Sequence, residues 1–275
     1  MTYHLHHGDC VEVMRSLPSE SVDAIVTSPP YAEQRKSTYG GIPEKDYPEW
    51  TVAWMNEARR LLKPDGSVII NITPHAKNGQ LGDYVLRTRL ALRGDRWCEL
   101  DEMVWIKSRT FPSGNMTRPQ RAWESLLWYS PTTKPWSDPL TCGNQEPLST
   151  TAAMTRAGKS LDAYGWTHYS ADANRADTGA ARRRNFVKMA PGGHGPDSGW
   201  KHPAPFPPAL AEWCGKLICP PGGTILDPFN GSASTGVAAI RNGWDYIGID
   251  AVQEYIDMSE QRLLHVTQQM EQEAA

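Results

Sequence analysis

A serine, two prolines and a tyrosine follow a short apolar run and could together bind a planar base. Residues 22–26 are mostly apolar, with β-branched members. This predicts a buried strand, which the prolines end because neither can donate to a sheet ladder. The Ser28 hydroxyl and the Pro29 carbonyl would lie at the carboxyl end of this strand, where open α/β sheets bind ligands. Both can accept hydrogen bonds from an exocyclic amino group, and the Tyr31 ring offers a stacking surface. A strand with an inert proline turn is the alternative for these residues alone.

A second candidate site lies near the C-terminal end, where residues 224–265 predict a strand, a loop of small residues, a helix and another strand. Small residues let a ligand approach the backbone, and a helix N terminus offers N–H groups to an anion. Asp227 precedes the loop, and Asp250 ends the second strand, where it could accept from two ribose hydroxyls. Asp9 is a third carboxylate at a predicted strand end. The pattern indicates a nucleotide-type site without the three-glycine dinucleotide fingerprint, and a loop or helix-cap carboxylate is the alternative for Asp227.

The composition indicates a globular protein with one large α/β domain, or one such domain and an insert. Of its 275 residues, 39% are hydrophobic and 21% charged, and no apolar run is long enough to span a bilayer. The N-terminal residues lack the pattern of a signal peptide, so a cytoplasmic location is predicted. The five cysteines form no Cys-x-x-Cys pair, which favours neither zinc nor a disulfide framework. His4 and His6 would share a strand face without further ligands, so no metal site is predicted.

The rest of the chain alternates predicted strands and helices, as is typical of an α/β domain. Strands are predicted at 3–7, 22–26, 67–72, 103–106, 125–129, 224–227 and 244–250. Residues 103–106 and 125–129 are expected to form an antiparallel edge. Helices are predicted at 10–17, 50–62, 83–92, 208–218, 237–241 and 253–265.

Residues 131–200 are rich in Gly, Pro, Ser, Thr and Asn, which predicts an insert with little core of its own. The net charge is +3 over residues 131–201 and −6 over the remainder. A basic insert suits contact with a polyanion, although it also suits an ordinary solvated surface. Six basic residues of this insert and of the polar loop 32–49 are the candidates for DNA phosphate contacts, namely Arg35, Lys36, Arg182, Arg183, Arg184 and Lys188.

Two motifs resemble those of the amino-group DNA methyltransferases that use S-adenosylmethionine. The Thr-Ser-Pro-Pro-Tyr of residues 27–31 resembles their catalytic motif, and the Asp-Pro-Phe-Asn-Gly-Ser of residues 227–232 resembles their cofactor loop. The catalytic motif comes first, which is the circularly permuted order of the beta group. The resemblance implies a Rossmann-like, seven-stranded methyltransferase sheet built from residues 1–130 and 201–275. Residues 131–200 match only in position, as the target-recognition insert.

The resemblance also implies roles for single residues. Ser28, Pro29, Pro30 and Tyr31 would be catalytic. Asp227 would face the amino group of S-adenosylmethionine, Asp250 its ribose and Asp9 its adenine. The full set of implied cofactor-binding residues is Asp9, Cys10, Thr27, Lys201, His202, Pro203, Asp227, Phe229, Asn230, Gly231, Ser232, Ser234, Thr235 and Asp250. Ala233 departs from the family, which usually has glycine at that position.

The same resemblance implies a metal-free mechanism on double-stranded DNA. The target base is flipped out, Ser28 and Pro29 hold its amino group, and the nitrogen takes the methyl group directly. Serine at position 28 goes with cytosine N4 in this family, so we predict a cytosine-N4 methyltransferase of a restriction–modification system, with adenine N6 as the alternative. A protein glutamine methyltransferase and an inactive DNA-binding module are less favoured. Members of the family often pair, so a homodimer is a further expectation.

Overall fold

The computed structural model describes residues 1–34, 40–77, 79–110, 119–140, 160–161, 167–168, 183–192 and 206–274. The chain forms two compact units. The larger unit consists of Met1–Asp138 and Asn185–Ala275, and the smaller unit of Pro139–Arg184. Within the smaller unit, two short strands pair in antiparallel fashion. That residues 131–200 form a target-recognition insert stays a prediction.

The strands and helices are numbered in chain order. The strands are β1 (Tyr3–His7), β2 (Val22–Thr27), β3 (Leu62–Ile72), β4 (Ala76–Lys77), β5 (Gln80–Leu81), β6 (Cys98–Lys107), β7 (Trp123–Ser130), β8 (Ser160–Leu161), β9 (Thr167–His168), β10 (Phe186–Met189), β11 (Thr224–Asp227) and β12 (Asp245–Asp250). The helices are α1 (Cys10–Ser16), α2 (Tyr47–Leu61), α3 (Tyr84–Gly94), α4 (Pro208–Ile218), α5 (Ser234–Asn242) and α6 (Gln253–Ala274).

One large sheet of the order β1-β12-β11-β2-β3-β7-β6-β10 organises the larger unit. Its strands run parallel from β1 to β3, β7 is antiparallel to both β3 and β6, and β10 is parallel to β6. The predicted α/β class with a mostly parallel sheet is confirmed. The eighth strand, β10, was not predicted, because its four residues are only half-buried and follow a long segment poor in aliphatic residues.

The register of the central strands brings the two candidate sites together. Every residue of β2 is buried, because β2 lies in the middle of the sheet with β11 on one side and β3 on the other. Leu226 pairs with Ile25, and Asp227 pairs with Gly248, so the carboxyl ends of β2, β11 and β12 lie side by side. Ligands of open α/β sheets bind at this edge, and both sequence motifs leave the sheet there.

Four helices extend beyond their predicted bounds, and of these α3 ends at Gly94 instead of residue 92. Helix α2 begins at Tyr47, because Pro48 is tolerated in a first turn, where its missing N–H would have no helical partner. Helix α5 begins at Ser234 and α6 continues to Ala274. In the described ranges, no helix has the length and apolar content required to cross a bilayer.

The tight contact between α5 and β12 gives a first prediction. A Cβ atom on Gly236 would lie 2.7 Å from Cε1 of Tyr246, a fully buried ring. We expect Gly236→Ala to lower the free energy of unfolding by about 1–3 kcal/mol, because the ring cannot move without displacing its neighbours. Urea unfolding of the two proteins measures this difference.

The matched control is Gly94→Ala on α3, where a Cβ would meet nothing within 4 Å. Alanine there should leave stability unchanged or raise it by up to about 1 kcal/mol, because alanine is the better helix former. Equal stabilities for the two variants would contradict the packing argument.

Candidate active site

A pocket of about 280 Å³ opens at the carboxyl ends of β1, β2, β11 and β12. Aromatic and aliphatic side chains form much of its wall, and two carboxylates, Asp9 and Asp250, add polar groups. Its lining residues are Gly8, Asp9, Cys10, Pro30, Ile42, Trp50, Pro228, Phe229, Asp250 and Ala251. The rings of Trp50 and Phe229 lie 5.4 Å apart. Flat apolar walls with a few oriented polar groups suit a nucleoside.

Asp250 lines the pocket and also anchors the loop that follows β11. Its Oδ2 accepts from the Gly231 amide at 2.8 Å, and its Oδ1 accepts from the Val252 amide at 3.0 Å. The carboxylate is therefore held in one orientation and only 2% of the residue is exposed. A fixed carboxylate at a pocket wall is a suitable acceptor for ligand hydroxyl groups.

Asp9 and Cys10 border the pocket from the start of α1. Asp9 caps this helix, since its Oδ1 accepts from the Val11 amide at 2.9 Å and the Glu12 amide at 3.2 Å. Burial, with a smaller contribution from the charge of Asp9, raises the pKa of the Cys10 thiol to about 12. Cys10 is therefore a neutral packing side chain in the pocket wall.

Asp227 joins the two sequence motifs through a buried set of hydrogen bonds. Its Oδ1 accepts from the Thr27 hydroxyl at 2.6 Å and from the Phe229 amide at 3.1 Å. Its Oδ2 accepts from the Thr235 hydroxyl at 2.9 Å. Burial raises the pKa of Asp227 to about 6, although all three donors act to lower it. The protein itself thus supplies donors to both oxygens, and the expectation that Asp227 faces a ligand amino group stays a prediction.

Helix α6 holds the loop after β11 from behind, a role that the sequence did not reveal. The Asn230 amide group donates to the Ser259 hydroxyl at 2.8 Å, and that hydroxyl donates to the Gly231 carbonyl at 3.1 Å. Arg262 donates to the Ser232 carbonyl at 2.6 Å. Both helix side chains are buried, so the loop carbonyls are oriented by groups of the protein interior.

Ala233, just before α5, adopts a left-handed backbone with φ of 56° and ψ of 40°. This conformation disfavours residues that carry a Cβ by roughly 1–2 kcal/mol and suits glycine. The geometry therefore explains why glycine is expected here. Ser234 and Thr235 follow as buried residues in the first turn of α5.

The serine-proline-proline-tyrosine turn lies at the end of β2, beside the pocket. Ser28 and Pro30 are partly exposed, and Pro29 is buried. The Tyr31 hydroxyl donates to Oε2 of Glu124 at 2.9 Å. Burial and the Glu124 charge raise the pKa of Tyr31, so its phenol is neutral. Sequence reasoning missed Glu124, because a single acid at the start of an apolar strand gave no sign of a distant partner.

The structure does not test the roles of nine of the predicted residues. Arg183 and Arg184 lie in the smaller unit, and Lys188 is exposed on β10. Six others fall outside the described residues: Arg35, Lys36, Arg182, Lys201, His202 and Pro203. The roles given to all nine stay predictions. In the part of the chain that the structure describes, no group of three His, Cys, Asp or Glu residues could hold a metal ion.

Comparison with known families and proteins identifies relatives over nearly the whole chain. A family model described as DNA methylase matches residues 22–261. The type II methyltransferase M.PvuII of Proteus hauseri is 25% identical over 290 residues, which cover 94% of this chain and 83% of that protein. The type II methyltransferase M.ScaI of Streptomyces caespitosus is 28% identical over 265 residues, which cover 94% and 80%.

Solved structures share the fold. The PvuII DNA methyltransferase, described as cytosine-N4-specific, superimposes with a TM-score of 0.71 at 22% identity and covers 98% of this chain and 92% of its own. TTHA0409 of Thermus thermophilus, described as a DNA modification methylase complexed with S-adenosyl-L-methionine, gives a TM-score of 0.61 at 23% identity and covers 97% and 96%. Both likenesses extend over nearly the whole chain.

The raised pKa of Asp227 predicts a distinctive pH dependence. The folded protein binds this proton more tightly than the unfolded chain, whose carboxyl has a usual pKa of 3.8. The protonated Asp227 carboxyl therefore contributes to the free energy of unfolding at low pH, and this contribution is lost as the pH rises from about 4 to about 6. At 1.36 kcal/mol per pKa unit, the loss approaches roughly 3 kcal/mol. The Asp227→Asn variant should lack this loss of stability with rising pH. Urea unfolding between these pH values measures the difference.

The exposed Asp257 on α6 provides a control for this measurement. Asp257→Asn should give a curve of stability against pH that runs parallel to that of the unmodified protein. If the Asp227→Asn curve also runs parallel, the raised pKa is wrong.

Proposed function

The chain belongs to the DNA methylase family, and on that basis we propose that it transfers the methyl group of S-adenosylmethionine to N4 of a cytosine flipped out of double-stranded DNA. The observation that carries this proposal is the hydrogen bond between Thr27 and Asp227, which are 200 positions apart in the chain. It ties a turn suited to binding an amino group to a loop suited to binding a nucleoside. A methyl transfer between two bound molecules requires such proximity.

The pocket beside this bond fits the cofactor. S-adenosylmethionine has an adenine ring, a ribose and a charged methionine end, and it supplies an electrophilic methyl group when bound. Trp50 and Phe229 offer flat surfaces for the adenine, while Asp9 and Asp250 offer acceptors for polar groups of the nucleoside. The backbone around Gly231, held by Asp250 and Ser259, gives the cofactor a preorganised surface.

The Ser28 turn would hold the target base. The Ser28 hydroxyl and the Pro29 carbonyl accept hydrogen bonds from the two amino hydrogens, so the nitrogen lone pair is less delocalised into the ring. Tyr31 stacks on the base, and its neutral phenol suits this contact. The neutral Ser28 hydroxyl is a weak base. The proton of the methylated nitrogen therefore leaves to solvent after the transfer.

Cytosine is favoured over adenine because position 28 is serine and because a structural relative is described as cytosine-N4-specific. The relatives M.PvuII and M.ScaI are type II methyltransferases, which supports a role in restriction and modification. We further propose that the basic residues of the smaller unit and its flanks contact DNA phosphates, that the motif order is circularly permuted, and that the enzyme is a cytoplasmic protein able to form homodimers.

The activity is tested with labelled S-adenosylmethionine and DNA of mixed sequence, followed by digestion to nucleosides. We expect N4-methylcytosine. Methyladenine would support the adenine alternative, and no label on any DNA would contradict the proposed function. Ser28→Ala should reduce the transfer rate on the order of 100-fold, because an oriented acceptor is lost, while cofactor affinity is retained.

Ser21→Ala is the control for this substitution. Ser21 lies immediately before β2, at the end of the strand opposite to Ser28, and its hydroxyl donates to the Pro18 carbonyl. Its removal should leave methyl transfer unchanged. A Ser28→Ala enzyme with the rate of Ser21→Ala would remove Ser28 from the mechanism.

The aromatic wall of the pocket predicts a separate effect on cofactor affinity. Trp50→Leu should raise the Kd for S-adenosylmethionine roughly fivefold, because it removes about 1 kcal/mol of ring contact. Isothermal titration calorimetry measures this change. Trp123→Leu, which alters an exposed ring at the start of β7, should bind like the unmodified enzyme. Equal affinities for both variants would argue against this pocket as the cofactor site.

A further inference from the structure

Three cations and an exposed aromatic ring lie where β6, β7 and β10 meet at one edge of the large sheet. Arg109 follows β6, Arg121 precedes β7, Trp123 begins β7, and Lys188 lies near the end of β10. All four residues are exposed. We call these four residues the basic edge.

The basic edge lies at the same end of the sheet as the serine-proline-proline-tyrosine turn. Strand β7 is antiparallel to both β3 and β6, so β6 runs parallel to β3 and also to β2. The carboxyl ends of β2, β3 and β6 therefore share one edge. Arg121 donates to the carbonyl of Pro74, which follows β3. Trp123 directly precedes Glu124, whose Oε2 accepts from the Tyr31 hydroxyl at 2.9 Å.

Backbone pairing holds the members of the basic edge in one surface. Lys188 pairs with Ile106, and Ile106 pairs with Trp123, so the three form one row across β10, β6 and β7. Residues in such a row project from the same face of a sheet. At the end of this row, the Lys107 amide donates to the Ala122 carbonyl at 2.7 Å. The ends of the three strands are therefore fixed relative to one another.

The charges of this edge favour an anionic partner. The described residues 107–110, 119–123 and 186–192 contain four bases and no carboxylate, although the whole chain has a net charge of −3. One of these bases, Lys107, binds the buried carboxylate of Glu124, and the other three belong to the basic edge. Positive charge concentrated at one edge of an acidic chain attracts a polyanion such as the phosphate backbone of DNA.

Trp123 adds a flat apolar surface to this charge. It is 44% exposed, the largest exposed fraction among the tryptophans of the described ranges. The Arg121 guanidinium lies 6.0 Å from the centre of its ring. A basic surface with an aromatic side chain suits nucleic acid, because the ring can pack against an unstacked base while the cations bind phosphates. Flipping a base out of a duplex creates such unstacked neighbours.

We propose that the basic edge is a DNA-docking surface of the larger unit, where its three cations bind phosphates and the Trp123 ring packs against the DNA next to the flipped base. The inference rests on the proposed function. It adds DNA contacts on the catalytic sheet to those proposed for the smaller unit and its flanks. The turn that would hold the target base and the surface that docks the duplex belong to the same sheet, so one backbone scaffold positions both.

The test measures binding of the full-length enzyme to labelled double-stranded DNA of mixed sequence at several salt concentrations. Arg109→Gln and Lys188→Gln should each weaken binding roughly three- to tenfold and make the slope of log K against log salt shallower by about 0.9, because one phosphate contact is lost. Trp123→Leu should weaken binding roughly fivefold without changing the slope, because stacking releases no counterion. The Kd for S-adenosylmethionine should stay within about twofold of the unmodified value in all three variants, which confirms that they are folded.

The matched control is Arg241→Gln. Arg241 is exposed in the last turn of α5, which ends just before β12 begins and therefore lies at the opposite edge of the sheet. Its loss should change neither the DNA affinity nor the salt slope. If Arg109→Gln and Lys188→Gln have the slope of Arg241→Gln, the proposal is wrong. An equally shallow slope in all three would also overturn it, because the position of the charge would then not matter.

Methyl transfer separates docking from chemistry. Trp123→Leu should raise the KM for DNA and leave the single-turnover rate at saturating DNA within about twofold, because the ring contacts DNA and not the reacting atoms. A lower rate at saturating DNA with an unchanged KM would contradict a docking role. An unmodified enzyme that binds DNA as expected but transfers no methyl group would contradict the proposed function. An active enzyme whose basic-edge variants all bind DNA like the unmodified enzyme would contradict this inference alone.

Discussion

One buried carboxylate, Asp227, fixes the geometry on which the candidate site depends. It receives donors from the end of β2, from the backbone after β11 and from the first turn of α5. A buried carboxylate without donors would cost several kcal/mol, so the fold strongly favours the one arrangement that supplies all three. Ser28 directly follows Thr27, and Phe229 itself contributes its backbone amide to this set. Their relative position is therefore determined by the interior of the protein and not by loop flexibility.

The loop after β11 shows how a strained backbone is kept in place. Ala233 occupies a left-handed conformation that its side chain disfavours. The Ala233 amide donates to the Asn230 carbonyl at 2.9 Å, and α6 holds the preceding carbonyls through Ser259 and Arg262. A strained backbone of this kind persists where several neighbouring groups each hold it in the same conformation. The last helix, although distant along the chain, is thus part of the support of the pocket.

The sequence predicted those parts of the site that depend on neighbours along the chain. Residues 22–26 form a strand because they are apolar, and the prolines end it, so the position of Ser28 at a strand end followed from local chemistry. The contact of Glu124 with the Tyr31 hydroxyl could not be predicted in this way. Tyr31 lies 93 positions earlier than Glu124, and the two meet because β7 pairs with β3, the strand next to β2.

The helices also combine features that the local sequence predicts with features that depend on contacts distant in the chain. The apolar face of α2 was visible, but the Tyr-Pro start at Tyr47 resembled loop, because proline is rare inside helices and common before them. Ser259 and Arg262 share the buried face of α6 with Tyr255, Leu263 and Val266, so helical periodicity is consistent with their burial. Periodicity does not show which loop these two polar side chains contact, because tertiary packing decides that.

The points at which the chain leaves and re-enters the larger unit matter for any exchange of the smaller unit between related enzymes. The Asp138 amide donates to the Leu217 carbonyl of α4 at 2.9 Å, and the Asn185 carbonyl accepts from Val104 of β6 at 2.9 Å before β10 joins the sheet. Both flanks are thus tied to the catalytic scaffold. A graft with junctions at 139 and 184 would preserve these ties, whereas a graft that spans 131–200 would remove β10 from beside β6.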